Sequence, residues 1–244
     1  MGKKGLQVIL LALACLLLLV VVTSMAMGAE AAAPEITGSQ PPFLGPWYID
    51  EDTVMEGGEL NLSMNVHVMR GIRLLMVNTT FTFVRDFPHQ WGFYAKDGST
   101  LFVINSTLNL DTFSGESQAS LNFEGGSSVR TTGRFYGSCN SFFAEDTTFT
   151  NTAPNGGPNQ AWEDAIFIAD GKVNSEFINV IIKNIAGNAG DTSPSFDGAI
   201  GGMSLFISNV SAWTDSYIEC KAGNSRGGGL GDVMVHIQRV RVDR

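Results

Sequence analysis

The chain has 244 residues, of which 44% are hydrophobic and 16% charged, with a formal charge of −9. That much apolar material fills a sizeable core, and low charge with 28 glycines excludes a disordered, solvating chain. The acidic balance disfavours nucleic acid and anionic lipid as partners and suits cations, neutral glycans or a salty exterior.

The first segment, "MGKKGLQVILLALACLLLLVVVTSMAMGAEAAAP", has Lys3 and Lys4, then an apolar run from Val8 to Val22, then small residues. Basic end, short apolar helix and small-residue cleavage site are the parts of a secretory signal peptide, with cleavage after Ala26 or Gly28. Counted from Leu6, the run is also long enough for an uncleaved N-terminal membrane anchor. Residues 1–28 therefore read as signal peptide or anchor, and the protein as extracellular or cell-surface. Removing them deletes two lysines and moves the formal charge from −9 to −11. Cys139 and Cys220 remain, and an exported compartment permits a disulfide without their repeat positions favouring one. Residues 29–46, with "PEITGSQPPFLGP", read as a linker.

From residue 47 onward short β-rich runs are broken by one polar corner. Aligned on that corner they are "LLMVNTTFTF" at Asn78, "LFVINSTLNL" at Asn105, "FFAEDTTFTN" at Asp146, "SEFINVIIKN" at Asn179, "LFISNVSAW" at Asn209 and "VHIQRVRV" at Arg239. Successive corners are 27, 41, 33, 30 and 30 residues apart. Periods in this range mark a stacked array, and the apolar spacing is that of strands. Each unit reads as strand, tight turn, strand, asparagine corner, strand and longer loop. Three parallel strands per coil, stacked about 4.8 Å apart, build an all-β, single-stranded parallel β-helix of about six to seven coils over residues 47–244. Asparagine suits the corner because it tolerates the left-handed backbone of a sharp bend, and its amide can bond to the next coil's amide. The chain ends within a strand pattern, which predicts a charged edge carrying Arg239, Arg241 and Arg244, a fragment of a longer protein, or an edge paired with another chain, the first two being favoured.

These corners, together with the opening "WYIDEDTVMEGGELNLSMNVHVMRGIRLLMVNTTFTF", resemble the right-handed parallel β-helix proteins of the pectin-lyase-like superfamily, particularly exported and cell-surface members. The resemblance implies a right-handed coil. It leaves activity open, since lyases, hydrolases, adhesins and structural proteins share that architecture.

Long loops are expected to leave one corner of the coil at residues 84–90, 111–134, 151–163, 186–197 and 214–228, forming a rim beside the first strands. In "WEDAIFI" and "SFDGAIGG", Asp164 and Asp197 precede the first strands of adjacent coils. Stacking would set their carboxylates about 5 Å apart. Such a pair could hold Ca²⁺ or act as the acid and nucleophile of a retaining glycosidase; the ordinary alternative is that both cap turns. "EDAIFIADGKVNSEFINVIIKN" also resembles the segment around the paired aspartates of polygalacturonases, but Glu163 stands at the first aspartate, and that family's glycine-flanked histidine and arginine-isoleucine-lysine motif are absent. A pectate-type lyase would draw Ca²⁺ ligands from Asp191 and Asp197 and a base from Arg226, residues otherwise read as solvated loop charges.

The three histidines, His67, His89 and His236, show no metal-ligand spacing. Trp47, Trp91, Trp162 and Trp213 fall near corners, where they pack over the core or form a shelf for sugar rings. Acceptor patterns for N-linked glycans occur at Asn61, Asn78, Asn105 and Asn209. The expected function is a non-catalytic structural, adhesion or glycan-binding surface module, with a polysaccharide lyase or glycoside hydrolase on acidic polysaccharide as the alternative. Its partner would be a polysaccharide or cell-surface glycan, Ca²⁺ the cofactor of the enzymatic alternative, nucleic acid no partner, and membrane a partner only through an uncleaved leader.

Overall fold

The computed structural model describes residues 32–155, 165–187, 203–222 and 233–242. The chain divides into Met1–Ala32 and Ala33–Arg244. Residues 1–28, expected to be a signal peptide or anchor, lie outside the described residues, so the fold is that of the second unit. Among the described residues no helix is long and apolar enough to cross a membrane.

The described chain is a parallel β-solenoid. A leading strand β1 (Glu35–Thr37) is followed by β2 (Trp47–Ile49), β3 (Thr53–Glu56) and β4 (Glu59–Leu62), which make coil 1. Coil 2 is β5 (Val66–Val68), β6 (Arg73–Val77) and β7 (Thr80–Phe83); coil 3 is β8 (Gly92–Ala95), β9 (Thr100–Ile104) and β10 (Thr107–Asn109). Coil 4 is β11 (Thr112–Gly115), β12 (Ser120–Glu124) and β13 (Ser128–Thr131); coil 5 is β14 (Arg134–Cys139), β15 (Ser141–Glu145) and β16 (Thr148–Thr152). In the later coils the first two strands run together: β17 (Ala165–Ile178) with β18 (Ile181–Ile185), β19 (Met203–Thr214) with β20 (Tyr217–Lys221), and β21 (Val233–Val242) opening coil 8.

Like strands stack on like strands. The first face runs β2-β5-β8-β11-β14 and continues through the first halves of β17, β19 and β21; the second runs β3-β6-β9-β12-β15 and continues through their second halves. The third face is β4-β7-β10-β13-β16-β18-β20. Every pairing among the coils is parallel, while β1 joins β3 antiparallel, so a strand lies inside the segment that reads as linker.

Alternation along each strand points one residue in and the next out. Inward, phenylalanines repeat at equivalent positions: Phe93, Phe113, Phe135 and Phe167 stack with centroids 5.8, 4.8 and 4.6 Å apart. A parallel in-register coil forces such like-on-like contact, and offset aromatic stacking makes it favourable.

The corner between second and third faces carries the left-handed residues, at φ 52° for Asn78, 46° for Asn105, 49° for Asp146, 52° for Asn179 and 47° for Asp215. Asn105 Nδ2 donates to Asn78 Oδ1 at 2.7 Å, and Asn179 Nδ2 to Asp146 Oδ1 at 2.7 Å, so neighbouring coils are tied through their corners. The next residue is a hydroxyl residue at every one of these corners except Asn179, where the buried Val180 takes its place. Ser106 Oγ accepts from Thr79 N at 3.0 Å and donates to Ile104 O at 2.8 Å; Ser127 Oγ accepts from Ser106 N at 3.2 Å; Ser216 Oγ accepts from Val180 N at 2.9 Å.

Three expectations are corrected here: residues 214–228, expected as a rim loop, contain the third-face strand β20 (Tyr217–Lys221). Residues 111–134 are not a rim loop: they are coil 4 with the turn into coil 5, and the expected gap of 41 residues divides at Gly125, whose φ of 66° fills the corner without a side chain. Asn209 is not at the asparagine corner either. Ile178 pairs with Thr214, which makes Asp215 the counterpart of Asn179. Asn209, at φ 57°, lies in the bend between the first and second faces, as does Arg239 at φ 51°. Both bends need left-handed residues, and that shared need let one pass for the other.

Candidate functional site

Among the described residues a concavity spans coils 2 to 4 where the third face turns toward the first. It is a groove of about 520 Å³ lined by Thr82, Val84, Arg85, Asn109, Arg130 and Thr132 together with Phe83, Leu110 and Thr131. Two guanidinium groups, an amide and hydroxyls therefore face one space, in a protein of formal charge −9.

Register explains the meeting of residues so distant in sequence. Thr82 pairs with Asn109, and Asn109 with Arg130, so the three form one outward row across successive coils. Asn109 Nδ2 donates to Thr82 Oγ1 at 3.1 Å, which ties the amide to the neighbouring coil. Arg130 is exposed and has no ion-pair partner among the described residues.

The segment 84–91, which contributes Val84 and Arg85 to the groove, is held down from below. Asp111, fully buried, accepts from His89 N and Trp91 N, both at 2.9 Å, and lies 3.4 Å from a guanidinium nitrogen of Arg85. Trp91 Nε1 donates to Val84 O at 2.9 Å and Gln90 Oε1 accepts from Asp86 N at 2.7 Å, closing the loop on itself. A buried carboxylate so engaged is stabilised by charge-assisted bonds and keeps the segment in one conformation. Arg85 is engaged by Asp111 and the Asn109 amide by Thr82, which leaves the exposed Arg130 as the charged group facing solvent; none of the lining residues is a carboxylate.

The first face carries a second organised surface. His67 lies between Tyr48 and Tyr94, with centroids 5.0 and 4.7 Å away, and Lys96 Nζ sits 5.3 Å from the Tyr94 centroid while pairing with Glu116 at 2.7 Å. Burial, and then the nearby Lys96 charge, holds the His67 imidazole below its usual range, partly offset by Glu116. Because the rings stack on each other along the solenoid, their faces are largely used within the protein.

Asp164, Asp191, Asp197 and Arg226, the carboxylates and base expected from sequence, lie outside the described residues, as does Trp162. Among the described residues no group of three or more His, Cys, Asp or Glu side chains could hold a metal ion. Trp47 and Trp213 are core residues. Cys139 and Cys220 are free thiols; burial, with Asp170 adding to it, pushes Cys139 up to about 12, and burial also raises Cys220.

The glycan acceptors differ in what their amides already do. Asn61, Asn78 and Asn105 are exposed, whereas Asn209 is half-buried and its Nδ2 donates to Asp170 Oδ1 at 2.8 Å. At Asn78 and Asn105 the acceptor pattern follows from three stacking demands: a left-handed corner, an inward hydroxyl, and an outward Thr80 or Thr107 opening the third face.

Sequence reading missed Thr82, Arg85, Asn109, Asp111, Arg130 and Thr132. The usable signal was there: "SVR" at 128–130 aligns with "TFT" at 80–82 and "TLN" at 107–109 once coil 4 is counted. Comparison with known proteins finds no matching family model, no similar curated protein and no similar solved structure.

Proposed function

We propose that the chain is an exported, cell-surface β-helix of the right-handed, pectin-lyase-like kind that works as a structural or adhesion module and binds glycans without turning them over. The observation that carries this reading is the groove over coils 2 to 4, with Arg85, Arg130, Asn109, Thr82 and Thr132 lining it and the segment 84–91 braced from below. An exposed guanidinium among hydroxyls matches a ligand rich in hydroxyl and acidic oxygens, and rigid scaffolding limits the entropy lost on binding. The leader supports export, and the acidic remainder of the chain keeps it away from nucleic acid.

The test is a polysaccharide panel with and without Ca²⁺, read for binding and, in parallel, for new reducing ends and unsaturated products. Binding without products is expected. Products formed by the native chain and lost in Asp164→Asn or Asp197→Asn would replace this reading with an enzymatic one.

A further inference from the structure

The groove is one end of a longer feature on the third face. The outward row through Thr82, Asn109 and Arg130 continues in register to Thr150, Lys183 and Glu219. Beside it runs a second outward row: Thr80, Thr107, Ser128, Thr148 and Ile181. Over coils 2 to 6 neither row contains a carboxylate, in a chain with 24 Asp and Glu against 15 Lys and Arg. Acidic side chains appear in these rows only at the ends, as Glu59 in coil 1 and Glu219 in coil 7.

Arg130 and Lys183 are two coils apart, which at the inter-strand spacing places their anchor points about 9.6 Å from each other along the solenoid axis. Thr150 stands between them with a hydroxyl, and Arg85 lines the groove at the far end. The face thus carries mostly hydroxyl side chains, with two cations, Arg130 and Lys183, standing two coils apart. We propose that it binds an extended acidic polysaccharide carrying one anionic group per disaccharide, lying parallel to the solenoid axis, with its anions on Arg130 and Lys183 and its hydroxyls on the threonine rows. This rests on the glycan-binding reading above and adds the ligand's charge spacing and direction.

The spacing argues against the other polyanions. Each strand of duplex DNA has a phosphate about every 3.4 Å along the axis, so about two of every three would meet no cation here. An anionic membrane surface is held by clusters of about four to eight basic residues, more than this face offers.

The experiment uses the full mature chain and four probes: hyaluronan oligosaccharides (one carboxylate per disaccharide), a neutral β-glucan of equal length, double-stranded DNA, and phosphatidylserine vesicles. Hyaluronan is expected to bind, with Arg130→Glu and Lys183→Glu each weakening it roughly tenfold and raised salt weakening it further. Glu219 lies 3.9 Å from Lys183 and competes for it, so Glu219→Gln is expected to tighten binding, a gain that misfolding cannot mimic. Glucan binding as tight as hyaluronan and unmoved by the variants would overturn this inference while leaving the glycan-binding module standing. DNA or vesicles binding as tightly as hyaluronan would also overturn it. Failure of every glycan to bind would remove both.

Discussion

The corner asparagine gives the most direct test of the fold. Asn105 sits at φ 46° and donates to Asn78 across the coils at 2.7 Å. A residue with a Cβ and no local polar compensation loses about 1 kcal/mol in the left-handed region, and the inter-coil bond contributes about 1 kcal/mol more. Asn105→Ala should therefore cost about 2 kcal/mol, and Asn105→Gly about 1 kcal/mol, since glycine accepts the backbone and forfeits only the bond. The β-branched Asn105→Val should exceed both. Urea unfolding of protein made without N-glycosylation reads this out. With a slope of about 2 kcal/mol per molar, the alanine variant's midpoint should drop by about 1 M and the glycine variant's by about half that. Equal midpoints for alanine and glycine would refute the left-handed-corner argument. The same series separates fold from sugar, because all three variants remove the acceptor pattern equally.

Three further outcomes follow from named contacts. Asn151 is fully buried, accepts from Thr131 Oγ1 and donates to Asn184 Oδ1, each at 2.7 Å, so Asn151→Leu strands both partners. It should cost about 3 kcal/mol and about 10 °C in calorimetric Tm; a shift under about 2 °C would show that the interior ladder contributes little. Cys139, its thiol at about 12 and buried, should resist iodoacetamide at pH 8 until urea unfolds the chain, as followed by mass spectrometry; labelling in the native state would contradict the core placement. His67 has a folded pKa lowered from 6.5, so the unfolded chain binds its proton more readily. Its contribution is complete above the unfolded pKa and is lost as pH falls through the folded one. Stability measured downward from pH 7 should therefore fall less in His67→Phe than in the native chain, and identical pH profiles would count against this.

Much of the coil was legible without coordinates, because an asparagine or aspartate between two short apolar runs has few backbone solutions. Asn78, Asn105, Asp146 and Asn179 all take the left-handed corner expected of them. Coil 4 escaped because its corner is Gly125-Gly126: glycine meets the same backbone demand with no side chain to mark it, and serines thin the apolar pattern. The candidate groove escaped with it, since Arg130 joins Thr82 and Asn109 only when that coil is stacked in place.

By itself, then, the sequence determined the local conformations: which residues bend, which point inward, and that strands recur at a coil's length. Register belonged to the tertiary structure. Asn209 and Asp215 are both left-handed, and only the pairing of Ile178 with Thr214 decides that Asp215 follows Asn179 at the corner. Backbone hydrogen bonds between coils do not depend on residue identity, whereas burial of the phenylalanine stacks does, so the whole core sets the register and, through it, which charged side chains share a face.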